Sequence, residues 1–165
     1  MIIDLEPFLN VEGLVKELDY TVDLSGEEFL GGKPFNAPVS VKGILSNHSG
    51  IVTVDADADF TMSVCCDRCA KPIDFPYDIA INHTLVASLN DEENDDLLLV
   101  EDIKNFNLDE LVTDDIFLNL PSKFLCSEDC KGLCPKCGKD LNDGPCSCRK
   151  EIDPRLAALT QLLDN

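Results

Sequence analysis

The sequence predicts an α+β protein, mainly antiparallel β, in which a curled sheet or small barrel is flanked by short helices and followed by a C-terminal cysteine-rich lobe. Three observations predict this architecture. Residues 51–64 alternate apolar and polar side chains, residues 107–120 have helical spacing, and six cysteines lie in the 23 residues from Cys126 to Cys148. We expect a β-rich core over residues 1–121, the cysteine-rich lobe over residues 122–150 and a C-terminal helix over residues 151–165.

The strongest strand signal lies in residues 51–64. From Val52 to Val64, valine, alanine, phenylalanine and methionine occupy the even positions, and polar residues occupy the odd ones. A period of two buries one face of a strand in a core and leaves the other in water. The segment therefore predicts one long strand, with Asp55, Asp57 and Asp59 on its exposed face.

Weaker patterns on either side predict the partners of this strand. The candidate strands are residues 20–24, 39–45 and 77–87. The segment Asn47-His48-Ser49-Gly50 is typical of a turn, which would join residues 39–45 to the long strand as a hairpin. We therefore expect three or four antiparallel strands in a meander.

Helix signals flank the sheet. Residues 107–120 carry apolar residues on one face, with Asn107 as the N-cap and Pro121 as the stop. The helix expected over residues 151–165 starts with an Asp-Pro-Arg sequence, which is typical of a first turn. Residues 4–18 stay open, because their apolar spacing suggests a helix while a proline and a glycine weaken it.

The charge balance is extreme, with 13 basic against 32 acidic residues and a net charge of −19. Lysine and arginine supply most nucleic-acid affinity by neutralising phosphates, so the composition favours a basic partner instead. Alternatively, the acidity only keeps the protein soluble. The candidate contacts are Asp55, Asp57 and Asp59 with the acidic loop at residues 90–96. Alternatively, these carboxylates only solvate a sheet face and prevent edge aggregation.

No segment predicts a membrane span or export. The longest apolar runs, such as residues 97–100, fall far short of the ~18–20 residues that a span needs, and the N-terminal residues lack the features of a secretion signal. We expect a cytoplasmic protein, in which clustered cysteines bind metal more often than they form disulfides. The odd total of nine cysteines agrees with this expectation.

The most specific metal-binding signal is the segment Cys134-Pro135-Lys136-Cys137-Gly138, which has the spacing of a zinc knuckle. Its turn lets backbone N–H groups donate hydrogen bonds to the thiolates. With Cys146 and Cys148 as the other two ligands, Cys134 and Cys137 predict a closed tetrahedral Zn²⁺ site in a zinc-ribbon-like lobe. A metal also supplies folding free energy to a segment with few apolar residues. A disulfide pair is the alternative interpretation.

A second site is expected from the remaining cysteines. Cys66 and Cys69 have knuckle spacing at the end of the long strand, whereas Cys65 falls on its polar face. With Cys126 and Cys130 they would bind a second Zn²⁺ and link the core to the lobe. Two alternatives stay open: Cys126 or Cys130 joins the first site, or the upstream pair remains as reduced core thiols. An iron–sulfur cluster also suits four cysteines, but the knuckle spacing favours one or two zinc ions.

No pattern of catalytic residues occurs. The two histidines, His48 and His83, lie in a predicted turn and a predicted strand, outside any H-x-E or H-E-x-x-H motif. The sequence also lacks a G-x-S-x-G nucleophile elbow, a P-loop and a dinucleotide fingerprint. Catalytic zinc keeps an open position, which four thiolates would close. We therefore expect a protein that is not an enzyme.

Several motifs together resemble one family. They are Cys66-Asp67-Arg68-Cys69, Leu120-Pro121, the run from Cys126 to Gly138, Asp140-Leu141-Asn142, Cys146-Ser147-Cys148 and the run from Asp153 to Leu159. With these motifs the chain resembles the YceD family of bacterial and plastid large-ribosomal-RNA accumulation proteins. The resemblance implies a role in synthesis, processing or stability of 23S rRNA and in assembly of the large subunit. The charge narrows this role to binding a basic ribosomal protein or a large-subunit precursor, with direct or indirect rRNA contact.

Two other functions are compatible with the sequence. Zinc-held cysteines can be oxidised and release their metal, as in a redox switch that exposes a holdase-type chaperone surface. A zinc ribbon can also contact nucleic acid, but in this lobe acidic residues counter the basic ones. The basic residues are Lys131, Lys136, Lys139, Arg149 and Lys150, and the acidic ones are Glu128, Asp129, Asp140, Asp143 and Glu151.

Overall fold

The structure is a computed structural model that describes residues 1–87 and 97–148. Two compact units make up the chain. The first comprises Met1–Val64 and Pro72–Phe124, and the second comprises Cys65–Lys71 and the chain from Leu125 onward. Among the described residues, no helix is long and apolar enough to cross a membrane.

The elements of the described chain are mostly strands. In order they are β1 (Ile2–Ile3), α1 (Glu6–Asn10), β2 (Val15–Val22), β3 (Val39–His48), β4 (Ile51–Cys65), β5 (Pro72–Val86), β6 (Leu97–Leu99), β7 (Phe106–Asn107) and α2 (Leu108–Asn119). Strands β2 to β6 form one curled, half-barrel sheet in that order, and β1 pairs with β7. The predicted α+β class with a mainly antiparallel sheet is confirmed.

The predicted meander is correct for β2 to β4, which pair antiparallel, and β5 lies beside β4. The sequence did not predict the fifth strand. Leu97–Leu99 pairs parallel to β5, with Thr84 opposite Leu97 and Val86 opposite Leu99. This short strand therefore forms one edge of the sheet.

The hairpin between β3 and β4 is tighter than predicted. Asn47 and His48 belong to β3, and only Ser49 and Gly50 turn the chain, both with positive φ, as in a type I′ turn. Asn47 is buried, and its Nδ2 donates to the Phe8 carbonyl at 2.5 Å while its Oδ1 accepts from the Gly50 N–H at 2.9 Å. The predicted turn boundary is wrong because this side chain satisfies buried backbone groups from inside the strand.

The helix predictions are confirmed in part. Residues 4–18 contain the short helix α1, after which β2 begins at Val15. Helix α2 starts after Asn107 and ends before Pro121 as predicted, but Asn107 makes no capping hydrogen bond with its side chain. The helix expected over residues 151–165 and the acidic loop at residues 90–96 lie outside the described residues.

The first unit has an extensive hydrophobic core. Alternate side chains of β4 contribute to it, together with the buried face of α2. An aromatic group of stacked and edge-to-face rings contains Phe29, Phe35, Phe60, Phe75, Tyr77, Phe117 and Phe124. At Gly43 a Cβ would lie 2.3 Å from the Asp55 carbonyl oxygen and 2.4 Å from the Ala56 Cα. Glycine at this position therefore lets β3 and β4 approach closely.

Candidate metal centres

Residues 65–71 and 125–148, the described part of the second unit, have no comparable apolar interior. Their buried hydrophobic side chains, among the residues that the structure describes, are those of Cys66, Cys69, Cys130 and Cys134. Leu133, by contrast, is 41% exposed. Cysteines therefore occupy the positions that aliphatic residues fill in an ordinary domain.

The structure brings eight of the nine cysteines together in two groups of four. The upstream cluster contains Cys66, Cys69, Cys126 and Cys130, and the ribbon cluster contains Cys134, Cys137, Cys146 and Cys148. Within each cluster the four sulfur atoms lie within 4.8 Å of one another. Cys65 stands apart from both clusters and is exposed. The groups are those that the sequence favoured; that they bind ions stays a prediction.

The sulfur spacing suits one tetrahedral ion in each cluster. Sulfurs at ~2.3 Å from a single ion would stand about 3.8 Å apart. The Sγ atoms of Cys66 and Cys130 are 3.8 Å apart, and those of Cys69 and Cys126 are 3.6 Å apart. These distances exceed the ~2.05 Å of a disulfide bond. They also leave little room for the additional iron and sulfide atoms of an iron–sulfur cluster.

In the ribbon cluster, the Sγ atoms of Cys134 and Cys146 are 3.4 Å apart. All four side chains end in sulfur, so an ion bound here would have no position left for substrate or water. Either cluster could therefore hold a metal as a structural site.

The two C-x-x-C segments have the same backbone geometry. In the first, the N–H of Cys66 donates to the Lys71 carbonyl and the N–H of Ala70 donates to the Cys66 carbonyl, both at 2.8 Å. In the second, the corresponding bonds join Cys134 to Lys139 at 2.8 Å and Gly138 to Cys134 at 2.9 Å. Each segment thus has the backbone turn typical of a zinc knuckle, one at the end of β4 and one inside the lobe.

The residue after the second cysteine of each knuckle adopts a left-handed conformation. Its φ is +57° at Ala70 and +70° at Gly138. Glycine adopts this region without strain, whereas a Cβ makes it unfavourable. The upstream knuckle therefore carries backbone strain that the ribbon knuckle avoids.

Backbone dipoles prepare the first thiol of each knuckle for ionisation. The Cys126 N–H, 3.4 Å from the Cys66 sulfur, is the largest influence that lowers the pKa of Cys66 to about 6. The Cys137 N–H likewise lowers the pKa of Cys134 to about 6. In contrast, the neighbouring Cys137 thiol raises the pKa of Cys148 to about 12. Such crowding of sulfur favours a bound cation, which would let all four thiols ionise.

Arg68 and Asn142 hold the upstream cluster in place. The cysteine pattern alone predicts no role for either side chain. The Arg68 guanidinium donates to the carbonyls of Glu128 at 3.1 Å and Cys130 at 2.8 Å. Asn142 Nδ2 lies 3.4 Å from the Cys130 sulfur, and its Oδ1 accepts from the Lys131 N–H at 2.8 Å. Cysteine spacing carries no information on these contacts. The sequence features that could have indicated these two residues are an arginine inside the knuckle and an asparagine in a polar turn.

The clusters differ in exposure. Three cysteines of the upstream cluster are buried, and only Cys126 is exposed. In the ribbon cluster Cys134 is buried, Cys137 is exposed, and Cys146 and Cys148 are half-buried. Solvent and oxidants therefore reach the ribbon cluster more readily.

Two lysines of the second unit interact with other residues of that unit. Lys71 Nζ lies 2.9 Å from a carboxylate oxygen of Asp140, and Lys139 Nζ donates to the Pro145 carbonyl at 3.0 Å. Arg149 and Lys150 lie outside the described residues. Asp140, one of the acidic residues of the lobe, is thus paired with a lysine that precedes the lobe in the sequence, and the balance among the lobe's own charges stays a prediction.

The predicted partner-binding aspartates lie together. Asp55, Asp57 and Asp59 are exposed on β4, away from the core. His83, which the sequence placed in a strand, lies in β5 and is hydrogen-bonded to Asp115 at 2.7 Å. His48 lies at the end of β3 rather than in the predicted turn. Neither histidine belongs to a cysteine cluster.

Comparisons with known proteins identify the family. The family described as "Large ribosomal RNA subunit accumulation protein YceD" matches residues 54–163. The Bacillus subtilis protein YlbN is 32% identical over 151 residues, which cover 89% of this chain and 87% of that protein. The Mycobacterium tuberculosis protein Rv2926c is 34% identical over 102 residues, 59% of this chain and 49% of that protein. Both relatives are named as uncharacterized proteins.

The match spans about half the length of the M. tuberculosis relative. No solved structure matches the chain. The family match includes both knuckles and all eight clustered cysteines, and it agrees with the resemblance found in the sequence motifs. The chain therefore belongs to the YceD family, described as large ribosomal RNA subunit accumulation proteins.

Proposed function

We propose that this protein is a non-enzymatic cytoplasmic factor in ribosome biogenesis. In this role it supports the synthesis, processing or stability of 23S rRNA and the assembly of the large subunit. It acts by binding a basic ribosomal protein or a basic patch of the large-subunit precursor, and its own contact with rRNA is direct or indirect. Family membership supports the general role, because the family is described by large-subunit rRNA accumulation.

The observation that carries the mode of action is the position of the charge. Residues 1–64 and 72–124, which form the first unit, contain five basic and 24 acidic residues. The rest of the chain contains eight of each, so the whole net charge of −19 belongs to the first unit. Such a field repels phosphate and attracts cationic protein segments, with fast and salt-sensitive association.

About a third of this net charge lies on one face of the sheet, which we name the acidic sheet face. Strand register places Glu17 and Asp19 of β2 on the same face as Asp55, Asp57 and Asp59 of β4. Asp74 of β5 belongs to it as well, because the Ser63 hydroxyl donates to Asp74 at 2.6 Å, and Asp78 follows with the period of two. On this face of β2 to β5, Lys42 is the single lysine and there is no arginine. Seven carboxylates against one ammonium favour a basic partner.

We assign both cysteine clusters to Zn²⁺, held as two structural sites by Cys66, Cys69, Cys126 and Cys130 and by Cys134, Cys137, Cys146 and Cys148. Four thiolates in tetrahedral arrangement suit zinc or iron, and the knuckle spacing favours zinc. The ions would hold the second unit folded. Metal analysis of the purified protein tests this assignment: zinc near two per chain is expected, whereas iron in its place would refute it.

A pull-down from cell lysate tests the partner. The full chain should retain basic ribosomal proteins after nuclease treatment, and retention should fall steeply as salt is raised. The variant Asp55→Asn, Asp57→Asn, Asp59→Asn should lose most of this retention. A control that removes three exposed carboxylates elsewhere, Glu12→Gln, Glu27→Gln, Glu28→Gln, should keep it. Recovery of rRNA fragments without any basic protein would rule out the proposal.

A second candidate function, a zinc-thiol redox switch with holdase activity, is favoured by the exposure of the ribbon cluster. Exposed Cys137 offers an oxidant access to the ligand set. Mild peroxide would then release zinc from the ribbon cluster first and create binding to unfolded client proteins. Zinc that stays bound under the same treatment supports the assembly factor instead.

A further inference from the structure

A groove runs along the edge of the sheet at β6. It has a volume of about 380 Å³ and lies between this strand and helix α2. Its apolar surface comes from Leu98 and Leu99 of the strand, Phe106 and Leu111. Leu99, the last residue of β6, is 44% exposed. Within residues 1–87 and 97–148, part of this apolar surface is therefore open to a ligand.

Carboxylates surround this apolar surface. Glu101, Asp102, Glu110 and Asp114 are all exposed and line the groove, and no lysine or arginine lies among its described lining residues. The nearby Lys104 forms an ion pair with Glu6 at 3.2 Å. An apolar surface surrounded by carboxylates therefore favours a ligand that has apolar side chains and several positive charges.

The strand beside the groove has a free edge. In the described part of the chain, β6 is the last strand of the sheet and pairs only with β5. An edge strand offers unpaired N–H and C=O groups, which an extended peptide can pair with by adding a strand. Helix α2 lies on the opposite side of the groove from β6 and would contact the side chains of the added strand.

We propose that an extended, lysine- or arginine-rich segment of a partner protein binds in this groove as an added strand on β6, with its cations against Glu101, Asp102, Glu110 and Asp114. This inference rests on the proposed function, because basic ribosomal proteins supply such segments. The acidic sheet face would attract the partner at long range, and the groove would hold one segment of it in a defined register.

Charge decides between this occupant and two others. A second copy of the chain carries the same net charge of −19 and would be repelled. Residues 149–165 contain three basic and three acidic residues, so their net charge is zero and they offer the rim no excess of cations. A basic partner segment complements all four carboxylates.

The test uses the full chain and a synthetic ten-residue peptide of alternating lysine and valine, labelled for fluorescence anisotropy. The groove variant is Glu110→Lys, Asp114→Lys, two exposed positions on α2. Its control is Glu27→Lys, Glu28→Lys, which makes the same change in net charge away from the groove. A second peptide carries N-methyl groups at alternate residues, which removes the backbone donors and keeps every charge.

We expect the groove variant to weaken binding at least tenfold more than the control does. N-methylation should weaken it at least tenfold, and the peptide should slow hydrogen exchange in residues 97–99. Equal losses in the two variants, or equal affinity of the two peptides, would overturn the proposal. It would also be overturned if the amides of residues 97–99 that do not pair with β5 were already protected in the free chain. Protection at all concentrations would indicate an internal occupant, and protection that increases with concentration would indicate a second copy.

The lysate pull-down separates this inference from the proposed function. If the groove variant retains ribosomal proteins as well as the wild type does, the groove proposal is wrong and the proposed function stands. If the wild-type chain binds the peptide at β6 yet retains no ribosomal protein, the groove proposal stands and the proposed function is wrong.

Discussion

Removal of metal should unfold the second unit and leave the first folded. The described residues of the second unit bury cysteines in place of aliphatic side chains, so they would keep little hydrophobic stabilisation without the proposed ions. A structural Zn²⁺ contributes roughly 10–16 kcal/mol, while a whole domain is stable by only about 5–15 kcal/mol. Loss of the metal therefore exceeds what a domain can absorb. The first unit keeps its 25 described core residues.

Hydrogen exchange on the full chain measures this difference, after treatment with a strong chelator under reducing, non-denaturing conditions. The amides of Cys66 and Cys134, which donate to Lys71 and Lys139 in the two knuckles, should lose their protection entirely. The amides that pair β3 with β4 serve as the internal control and should stay protected. A metal-free chain that keeps native protection at both knuckles would refute the reasoning.

Native mass spectrometry then assigns the ions to the clusters. The wild type should carry two zinc ions. One double variant, Cys66→Ser with Cys69→Ser, should lose the ion of the upstream cluster. The other, Cys134→Ser with Cys137→Ser, should lose the ion of the ribbon cluster, so each variant is the matched control of the other. A wild type with a single ion that the first variant retains would eliminate the upstream site.

Three further perturbations follow from local geometry. Asn142→Ala removes a donor to the Cys130 sulfur, so the upstream cluster should bind metal about 10–100-fold more weakly in competition with a chelator, with the ribbon cluster unchanged. Ala70→Gly should raise the free energy of unfolding of the metal-loaded chain by about 1 kcal/mol, and Gly138→Ala should lower it by a similar amount, because both positions have positive φ. Shifts of the same sign in the two variants would contradict this. Asn47→Ala should lower the free energy of unfolding of the first unit by about 2–3 kcal/mol, because it leaves the buried Phe8 carbonyl without its hydrogen-bond donor. Urea titration measures this change, and a loss below about 0.5 kcal/mol would contradict the prediction.

The sequence predicts features that are written into local side-chain patterns. The period of two in β4 records which face is buried, so this strand and its exposed aspartates could be located from residues alone. Strand β6 has three leucines and no alternation, and its parallel pairing to β5 depends on chain that is distant in sequence. Local patterns could not predict it. The groove beside β6 was missed for the same reason.

The cysteine clusters show the same limit. Knuckle spacing indicates which two cysteines share an ion within one turn, because the C-x-x-C geometry is local. It does not indicate which distant pair completes the set, and Cys126 lies 60 residues from Cys66. The supporting contacts of Arg68 and Asn142 go to backbone carbonyls and to a sulfur whose positions only the folded chain defines. A pattern of residue types contains no such positions.

The proposed metal sites and the net negative charge belong to different units of the chain. Each cluster of four thiolates with one Zn²⁺ would carry a charge of −2, so the metal sites add −4 to a part of the chain that is otherwise neutral. That addition is small beside the −19 of residues 1–64 and 72–124, so metal loss should change the attraction for a basic partner very little. A chelator should therefore abolish the structure of the second unit while binding of the lysine–valine peptide persists. Loss of peptide binding in step with metal would instead place the basic partner's site on the metal-dependent unit.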